Sequence, residues 1–196
     1  MELAEKNWFS SWFDTPYYHI LYKDRNDEEA REFMQNLVSF LKLSPNSTIL
    51  DLACGKGRHS VYLNQLGYDV TGVDLSENSI EYARQFENEG LKFHTHCMCK
   101  PVEEKFDAVF NLFTSLGYFE DEEDNLESIK AIKQELKPEG YGVIDFMNVE
   151  KVIDQLIPSE VKTVEGIDFN ITRRIKNGYI LKNICFEDEG RDYSYT

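Results

Sequence analysis

The chain has 196 residues, which is enough for one domain and marginal for two. Hydrophobic residues make up 41% and charged residues 29%, as in an ordinary soluble globular protein. The 21 Lys and Arg residues stand against 36 Asp and Glu, which gives a formal net charge of -15. This balance excludes a non-specific binder of nucleic acid or of anionic membranes, because both need clustered cations.

No apolar run approaches the ~20 residues that span a bilayer. The N-terminal sequence lacks the basic and apolar segments of a secretory signal. The cysteines are too few and too irregularly spaced for a disulfide framework; they are Cys54, Cys97, Cys99 and Cys185. The sequence therefore predicts four reduced thiols in a cytoplasmic protein.

The N-terminal part combines an aromatic segment with a helix. Aromatic side chains are dense in the first 25 residues and include Trp8, Phe9, Tyr17, Tyr18 and Tyr22. Such density predicts a segment that folds back onto the body of the protein or covers a cleft. Apolar residues at helical spacing then predict an amphipathic helix over 27–43. We expect residues 1–45 to form an aromatic lid and this helix.

Short apolar runs then alternate with helical patterns. Strands are predicted at 48–53, 68–73, 91–97, 106–113 and 141–147, and helices at 58–66, 76–87 and 122–136. Strands that alternate with helices of about ten residues indicate crossover connections. The predicted fold is therefore α/β and Rossmann-like, a mostly parallel sheet with helices on both faces.

The pattern changes after this alternation. Residues 149–156 predict a helix, and two alternating runs, 168–175 and 179–187, flank Asn177-Gly178. Asn-Gly between such runs is a strong signal of an antiparallel hairpin. We expect a single domain in three segments: the lid and helix (1–45), a core (46–148), and a helix with a β-hairpin (149–196).

The turn after the first strand is the place to seek chemistry, because open parallel sheets bind ligands beyond the carboxyl ends of their strands. This turn runs from Asp51 to Ser60 and includes Gly55 and Gly57, whose lack of a Cβ permits a tight turn and a close ligand. Asp74 ends the second strand, where a carboxylate suits two vicinal ribose hydroxyls.

Two classes of cofactor site use this arrangement. A nicotinamide dinucleotide site needs a third glycine at the position of Ser60. Asp51 would repel a pyrophosphate, whereas it would attract the ammonium group of an amino acid. The residues therefore favour a zwitterion joined to a nucleoside over a dinucleotide.

Four motifs carry a resemblance to a known family: ILDLACGKGRHS, VTGVDLSENSIEYA, FDAVFNLFTSLGYF and LKPEGYGVIDFMN. Over about residues 46–148 the sequence resembles the class I S-adenosylmethionine-dependent methyltransferases. The resemblance implies that the methionine part of S-adenosylmethionine is lined by Asp51, Ala53, Gly55 and Gly57. It implies that Asp74 binds the ribose, that Leu75 lies beside the adenine, and that Asn111 and Leu112 close the pocket floor.

Two positions depart from the family pattern. Ala53 stands where the family most often has glycine, and one methyl group is usually tolerated there. Cys97 stands where many members place an Asp that accepts from the adenine amino group. The backbone of Cys97 and Met98 can still contact the base, although a lost hydrogen bond costs about 1 kcal/mol.

The C-terminal end is a third departure, because the family's sheet normally continues with two more strands after the fifth. The hairpin at 168–187 is a candidate for the missing strands, but we expect it to be an insertion over the active-site mouth and the chain to be truncated at its C-terminus. The fifth strand would then have an uncovered edge, which invites a homodimer by strand pairing.

Other candidate residues are weaker. Zinc needs about four converging ligands, and alternate strand residues would turn His94 and His96 away from Cys97 and Cys99, so no metal site is expected. The acidic run 120–124 is interpreted as a solvated helix N-terminus. In the family, tyrosines before the core touch the cofactor or a substrate amine, which nominates Tyr18 for cofactor binding. The candidates for substrate binding are Tyr22, His59, Tyr118 and Arg173, and no catalytic residue is assigned.

The first functional hypothesis is a methyltransferase that acts on a small molecule by in-line transfer, with no nucleic-acid or membrane partner. Such a transfer depends largely on holding the reacting atoms aligned and dry. The alternative is a non-catalytic S-adenosylmethionine-binding or interaction module, which Cys97 and the short C-terminus favour. An NAD-dependent oxidoreductase is the third hypothesis.

Overall fold

A computed structural model describes residues 12–23, 27–113, 115–119 and 121–196. It divides the chain into a core unit, residues 25–146, and a terminal unit, residues 1–24 with 147–196. These boundaries differ from the three expected segments because of packing. The helix after residue 27 packs in the core unit, whereas Trp12 and Leu21 pack with the C-terminal strands. No helix among the described residues is long and apolar enough to cross a membrane.

The core unit is built on a five-stranded parallel sheet in the order β3-β2-β1-β4-β5. The strands are β1 (Thr48–Leu52), β2 (Asp69–Asp74), β3 (Leu91–Thr95), β4 (Phe106–Asn111) and β5 (Leu136–Ile144). The order reverses between β1 and β4, which creates the switch point where ligands of such sheets bind. The parallel sheet predicted from the alternation of strands and helices is confirmed.

Helices cover both faces of this sheet. They are α2 (Asp27–Leu41), α3 (Arg58–Gln65), α4 (Glu77–Ala83) with a 3-10 turn (Arg84–Phe86), and α5 (Glu122–Glu135). Ile49 of β1 packs in a cluster that includes residues of α2, α3 and α4. Its neighbours Leu50 and Leu52 point to the opposite face, where they cluster with Ile132 of α5.

Strand β5 begins five residues before the predicted position. Phe106 pairs with Leu136 and Ala108 pairs with Tyr141, so residues 137–140 stand opposite a single residue as a bulge. The Lys-Pro-Glu-Gly sequence therefore bends an edge strand rather than separating a helix from a strand. Pro138 is tolerated there because an edge strand has one side without ladder hydrogen bonds.

The terminal unit contains a four-stranded antiparallel sheet in the order β6-β7-β8-β9. Its strands are β6 (Ser159–Val164), β7 (Ile167–Lys176), β8 (Tyr179–Asp188) and β9 (Arg191–Tyr195), with helices α1 (Pro16–Leu21) and α6 (Val149–Asp154). The predicted hairpin is confirmed as β7 and β8, and one further strand pairs on each side. Asn177 and Gly178 both have positive φ, at 53° and 82°, as a two-residue type I′ turn requires.

The aromatic segment packs against this antiparallel sheet. The Trp12 ring lies 4.7 Å from the Tyr195 ring, and the Tyr17 ring lies 4.6 Å from the Phe186 ring, centroid to centroid. The Tyr17 hydroxyl donates to Oδ2 of Asp188 at 2.8 Å. Trp8 and Phe9 of the expected lid lie outside the described residues. The segment therefore folds back onto strands near the other end of the chain.

Candidate functional site

The turn after β1 has an unusual backbone. Ala53, Gly55 and Gly57 all have positive φ, at 60°, 56° and 80°. The Cys54 N–H donates to the Val73 carbonyl of β2 at 3.0 Å, which fastens the turn to the neighbouring strand. Ala53 therefore occupies the left-handed conformation that glycine adopts without strain. This explains why glycine suits its position in the family pattern.

The two glycines of the turn serve different purposes. A Cβ at Gly57 would lie 2.6 Å from Cζ of Phe93 and 3.3 Å from Cβ of Ala83. Phe93 is fully buried, so Gly57 is required for packing. A Cβ at Gly55 would meet no atom within 4 Å. The backbone at Gly55 therefore borders open space, as expected for a position close to a ligand.

Asp74 holds this turn in place. Its Oδ2 accepts the Gly55 N–H at 2.8 Å, and its Oδ1 accepts the Ser76 N–H at 2.8 Å. Ser76 is also the N-cap of α4, because its hydroxyl accepts the Ser79 N–H at 3.0 Å. One carboxylate at the end of β2 thus organises both the glycine turn and the start of α4.

Asp51 is a carboxyl group buried near the carboxyl end of β1. Only 2% of its surface is exposed, and Oδ2 accepts the Ser60 hydroxyl at 2.6 Å. Burial, with a smaller contribution from the nearby charge of Asp74, raises the pKa of Asp51 to about 7, although the hydrogen bond from Ser60 lowers it. A cation beside this carboxyl group would favour its ionised form.

Asn111 and Leu112 lie at the carboxyl end of β4. Asn111 is buried, and its Nδ2 donates to the Leu52 carbonyl at 3.2 Å while its Oδ1 accepts the Leu116 N–H at 3.2 Å. Nδ2 also contacts Sδ of Met98 at 3.6 Å. The Asn111 side chain therefore ties the end of β1 to the segment after β4, and Leu112 is buried beside it.

The segment after β3 corrects two expectations. β3 ends at Thr95, so Cys97 and Cys99 lie in a turn rather than on a strand. Their sulfur atoms form a disulfide, with the two Cα atoms 5.3 Å apart, so the prediction of four reduced thiols is wrong for this pair. An extended strand would place both side chains on one face with their Cα atoms about 6.6 Å apart, so the turn brings them closer together. Cys54 and Cys185 are free.

The described residues contain no group of three or more His, Cys, Asp or Glu side chains that could hold a metal ion. Burial raises the pKa of the Cys54 thiol, so this cysteine is a poor nucleophile.

Leu75, expected beside the adenine, follows Asp74 directly and is 39% exposed. In the acidic run, Glu120 lies outside the described residues, and Asp121 caps α5 by accepting the Glu123 N–H at 2.9 Å.

His59 is buried at the start of α3. Its ring stacks on Phe113 at 4.8 Å with an interplanar angle of 8°, and its Nε2 lies 3.4 Å from Nη2 of Arg58. Because arginine can only donate, this contact places a lone pair on Nε2. Burial, together with the Arg58 charge, lowers the pKa of His59 to about 3. His59 is therefore neutral at pH 7 and is a weak base.

The other nominated residues divide between the two units. Tyr118 lies in the core unit, after β4, whereas Tyr18, Tyr22 and Arg173 lie in the terminal unit. Tyr18 packs edge-on against Trp12.

Tyr22 and Arg173 both bind partners within the terminal unit. Tyr22 accepts a hydrogen bond from Lys182. Arg173 forms an ion pair with Glu160, and its Nη1 donates to the Ile157 carbonyl at 3.2 Å. A substrate role for either residue stays a prediction.

Ser60 is a residue of the site that the sequence did not nominate. It is fully buried, and its hydroxyl is the partner of Asp51. The available signal was its position, where a dinucleotide site would have a third glycine. A hydroxyl at the start of α3, nine residues after a buried acid, is the feature that would have identified it.

Residues 49–140 match the model of a family described as a methyltransferase domain. The chain is 34% identical over 116 residues to the putative methyltransferase YqeM of Bacillus subtilis. The aligned region covers 57% of this chain and 47% of that protein. It is 26% identical over 129 residues to a dTDP-3-amino-3,4,6-trideoxy-alpha-D-glucopyranose N,N-dimethyltransferase of Streptomyces venezuelae, covering 65% of this chain and 54% of that protein. The chain thus spans about half the length of these curated relatives.

The fold is also similar to a solved structure. An S-adenosylmethionine-dependent methyltransferase from Clostridium acetobutylicum superposes with a TM-score of 0.72 at 20% identity. The match covers 95% of this chain and 78% of that one. At 20% sequence identity, this similarity is evidence for the fold alone.

Proposed function

We propose that the chain is a class I S-adenosylmethionine-dependent methyltransferase, which transfers a methyl group from S-adenosylmethionine to a small-molecule acceptor. The match of residues 49–140 to a methyltransferase-domain family and the fold support this proposal. The observation that carries the proposal is the arrangement of Asp51, Gly55 and Asp74. A buried carboxyl group near the end of β1, a glycine beside open space in the following turn, and a carboxylate at the end of β2 that organises this turn lie along adjacent strands.

The residues present fit the cofactor. S-adenosylmethionine, when bound, supplies a methyl group on a positively charged sulfur. We propose that Asp51 pairs with the ammonium group of its methionine part, because this carboxyl group is buried and its hydrogen bond from Ser60 supplies no charge. Gly55 lets the backbone approach the ligand, and Asp74 accepts from the ribose hydroxyls, since a carboxylate has about four acceptor positions.

The chain's own contribution to the transfer is positioning. Asn111 ties the end of β1 to the segment after β4 through two hydrogen bonds, which supports the proposed pocket floor at Leu112. Leu75 and the backbone of Cys97 and Met98 are the proposed neighbours of the adenine. Rigid placement of two reactants lowers the barrier without any covalent step on the protein.

The acceptor is proposed to be a small molecule that brings its own nucleophile. His59, with a pKa of about 3, is a weak base, so an acceptor with a free lone pair suits this site better than one that must be deprotonated. The name of the Streptomyces venezuelae relative includes a nucleotide-linked amino sugar, whose amine has such a lone pair in its neutral form. Tyr118, Tyr22, Arg173 and Tyr18 stay candidates for contacts to the acceptor or the cofactor.

A second candidate function is a binding module without turnover. The disulfide occupies the Cys97 sulfur, so this side chain does not replace the carboxylate that many family members offer to the adenine amino group. Weak binding of the base would favour regulation or storage over catalysis. A homodimer through the uncovered edge of β5 also belongs to the proposal, because the described residues of β5 pair with β4 on one side only.

Calorimetric titration with S-adenosylmethionine and with S-adenosylhomocysteine tests the cofactor site. We expect micromolar binding that weakens about tenfold or more, roughly 1.4 kcal/mol, in Asp74→Asn. Asparagine removes the charge but keeps one acceptor for the turn. Asp69→Asn is the matched control, because Asp69 is exposed at the opposite end of the same strand. Equal affinities in all three proteins would refute the assignment of Asp74.

Turnover is tested separately with a panel of amine and hydroxyl acceptors, including amino sugars and their nucleotide conjugates. Formation of S-adenosylhomocysteine above the level without acceptor would support methyl transfer. Cofactor binding without turnover on any acceptor would favour the binding module. Binding of NAD in preference to S-adenosylmethionine would refute both.

A further inference from the structure

Helix α5 carries an exposed stripe that no contact within the core unit explains. Four of its residues lie on one face at helical spacing and are exposed: Glu122, Leu126, Ile129 and Lys133. Leu126 is 49% exposed and Ile129 is 47% exposed, although both are large and apolar. The opposite face, with Ala131 and Ile132, is the one that packs in the core unit.

Acidic, apolar and basic side chains follow one another in a fixed order along the stripe. An acidic side chain stands at its N-terminal end, two apolar side chains in the middle, and a basic side chain at its C-terminal end. Among the described residues, neither Glu122 nor Lys133 forms an ion pair, whereas Lys130 on the flank pairs with Glu127 at 2.6 Å. Residues 122 and 133 are about 17 Å apart along the helix axis, at 1.5 Å per residue.

This order is complementary to itself. When two copies of α5 pair antiparallel about a twofold axis between residues 127 and 128, Glu122 faces Lys133 of the second copy. Leu126 then faces Ile129 of that copy, so the same register matches both kinds of contact. Symmetry produces each contact twice, as in any isologous interface.

We propose that the stripe on α5 is a homodimer interface in this register. The occupant is a second copy of the chain, because the charges match the stripe's own sequence read in reverse. The proposal adds a side-chain surface to the strand pairing suggested for β5 and does not depend on methyl transfer. On β5, Ile144 is 38% exposed and lies on the α5 face of the sheet, since Gly142, two residues before, faces Ile132.

The interface is small compared with the roughly 800 Å² that each partner buries in a standard complex. We therefore expect a reversible dimer with a dissociation constant of roughly tens of micromolar. Such a dimer is seen by sedimentation equilibrium over a range of protein concentrations. A protein that stays monomeric at ~1 mM, where a dimer of that affinity would be mostly formed, would overturn the proposal.

Charge reversal tests the register. In Glu122→Lys and in Lys133→Glu, like charges face each other at both symmetric contacts, so we expect association to weaken about tenfold or more. The double variant restores opposite charges and should associate within about threefold of the original protein. The controls are Glu81→Lys and Lys92→Glu, which make the same changes of charge at exposed positions on α4 and β3.

The outcomes are decisive in both directions. Loss in the single variants with recovery in the double variant supports the interface. A dimer that neither single variant weakens, or one that the double variant does not restore, refutes this register and assigns dimerisation to another surface. Cofactor titration of the same variants should be unchanged, because Glu122 and Lys133 are not part of the proposed cofactor site. A failure here is thus distinguishable from a failure of the methyltransferase proposal.

Discussion

The two glycines of the turn after β1 are expected to respond differently to the same substitution. Gly57→Ala should destabilise the core unit, whereas Gly55→Ala should mainly weaken cofactor binding. Both residues have positive φ, so both substitutions carry a left-handed backbone penalty of roughly 1–2 kcal/mol. Only Gly57→Ala adds a collision, because its Cβ would lie 2.6 Å from the Phe93 ring.

The collision with Phe93 determines how much more Gly57→Ala lowers the free energy of unfolding than Gly55→Ala does. Phe93 is fully buried, so its ring cannot move into solvent, and overpacking of this kind costs roughly 1–3 kcal/mol. Gly57→Ala should therefore cost roughly 2–5 kcal/mol in total, against roughly 1–2 kcal/mol for Gly55→Ala. At Gly55 the added methyl group enters the open space that the cofactor is proposed to use.

Urea unfolding followed by circular dichroism at 222 nm is the suitable assay. Circular dichroism is preferred to tryptophan fluorescence, because the sequence of the core unit contains no tryptophan. Gly67→Ala is the matched control, since Gly67 has φ of 92° and open space at its Cβ but follows α3, away from the turn. The reasoning fails if Gly57→Ala is no less stable than Gly67→Ala, or if Gly55→Ala binds S-adenosylmethionine as tightly as Gly67→Ala.

Two further predictions concern titrating groups. Asp51 has a folded-state pKa of about 7, above its unfolded value, so its ionisation opposes folding. The free energy of unfolding should fall by up to ~4 kcal/mol as pH rises from about 4 to about 7, and Asp51→Asn should remove this dependence. S-adenosylmethionine should bind more tightly as pH rises through about 7, and calorimetry that shows no pH dependence would contradict the proposed ammonium contact. For the cysteines, a thiol reagent in denaturant should titrate two thiols without reductant and four after reduction; four at the outset would refute the Cys97–Cys99 disulfide.

The parallel sheet could be predicted because its strands are short apolar runs between helical patterns. The position of Asp74 at the end of β2 was also predictable, whereas its contact with a ribose stays a prediction. The strands β6 and β9 were missed because of their turns. Glu165-Gly166 and Glu189-Gly190 have positive φ at both residues, as Asn177-Gly178 does, but glutamate is a weak signal for such a turn.

The contacts inside the site depend on tertiary structure that no local pattern encodes. The Asp51–Ser60 hydrogen bond requires the turn to double back, and the Cys97–Cys99 disulfide requires β3 to end at Thr95. The ion pair of Arg173 is a further example, because its partner Glu160 lies on an adjacent strand. The cytoplasmic location and the lid function of the N-terminal segment stay predictions.

The composition of the terminal unit has a consequence for biosynthesis. Residues 12–23 belong to the same aromatic cluster as β7 and β8, more than a hundred residues later in the chain. During translation, the α1 segment leaves the ribosome long before these partners exist, whereas residues 25–146 emerge together. The core unit can therefore fold during translation. The aromatic side chains of residues 12–23 stay unpacked, and accessible to chaperones, until β7 and β8 have been synthesised.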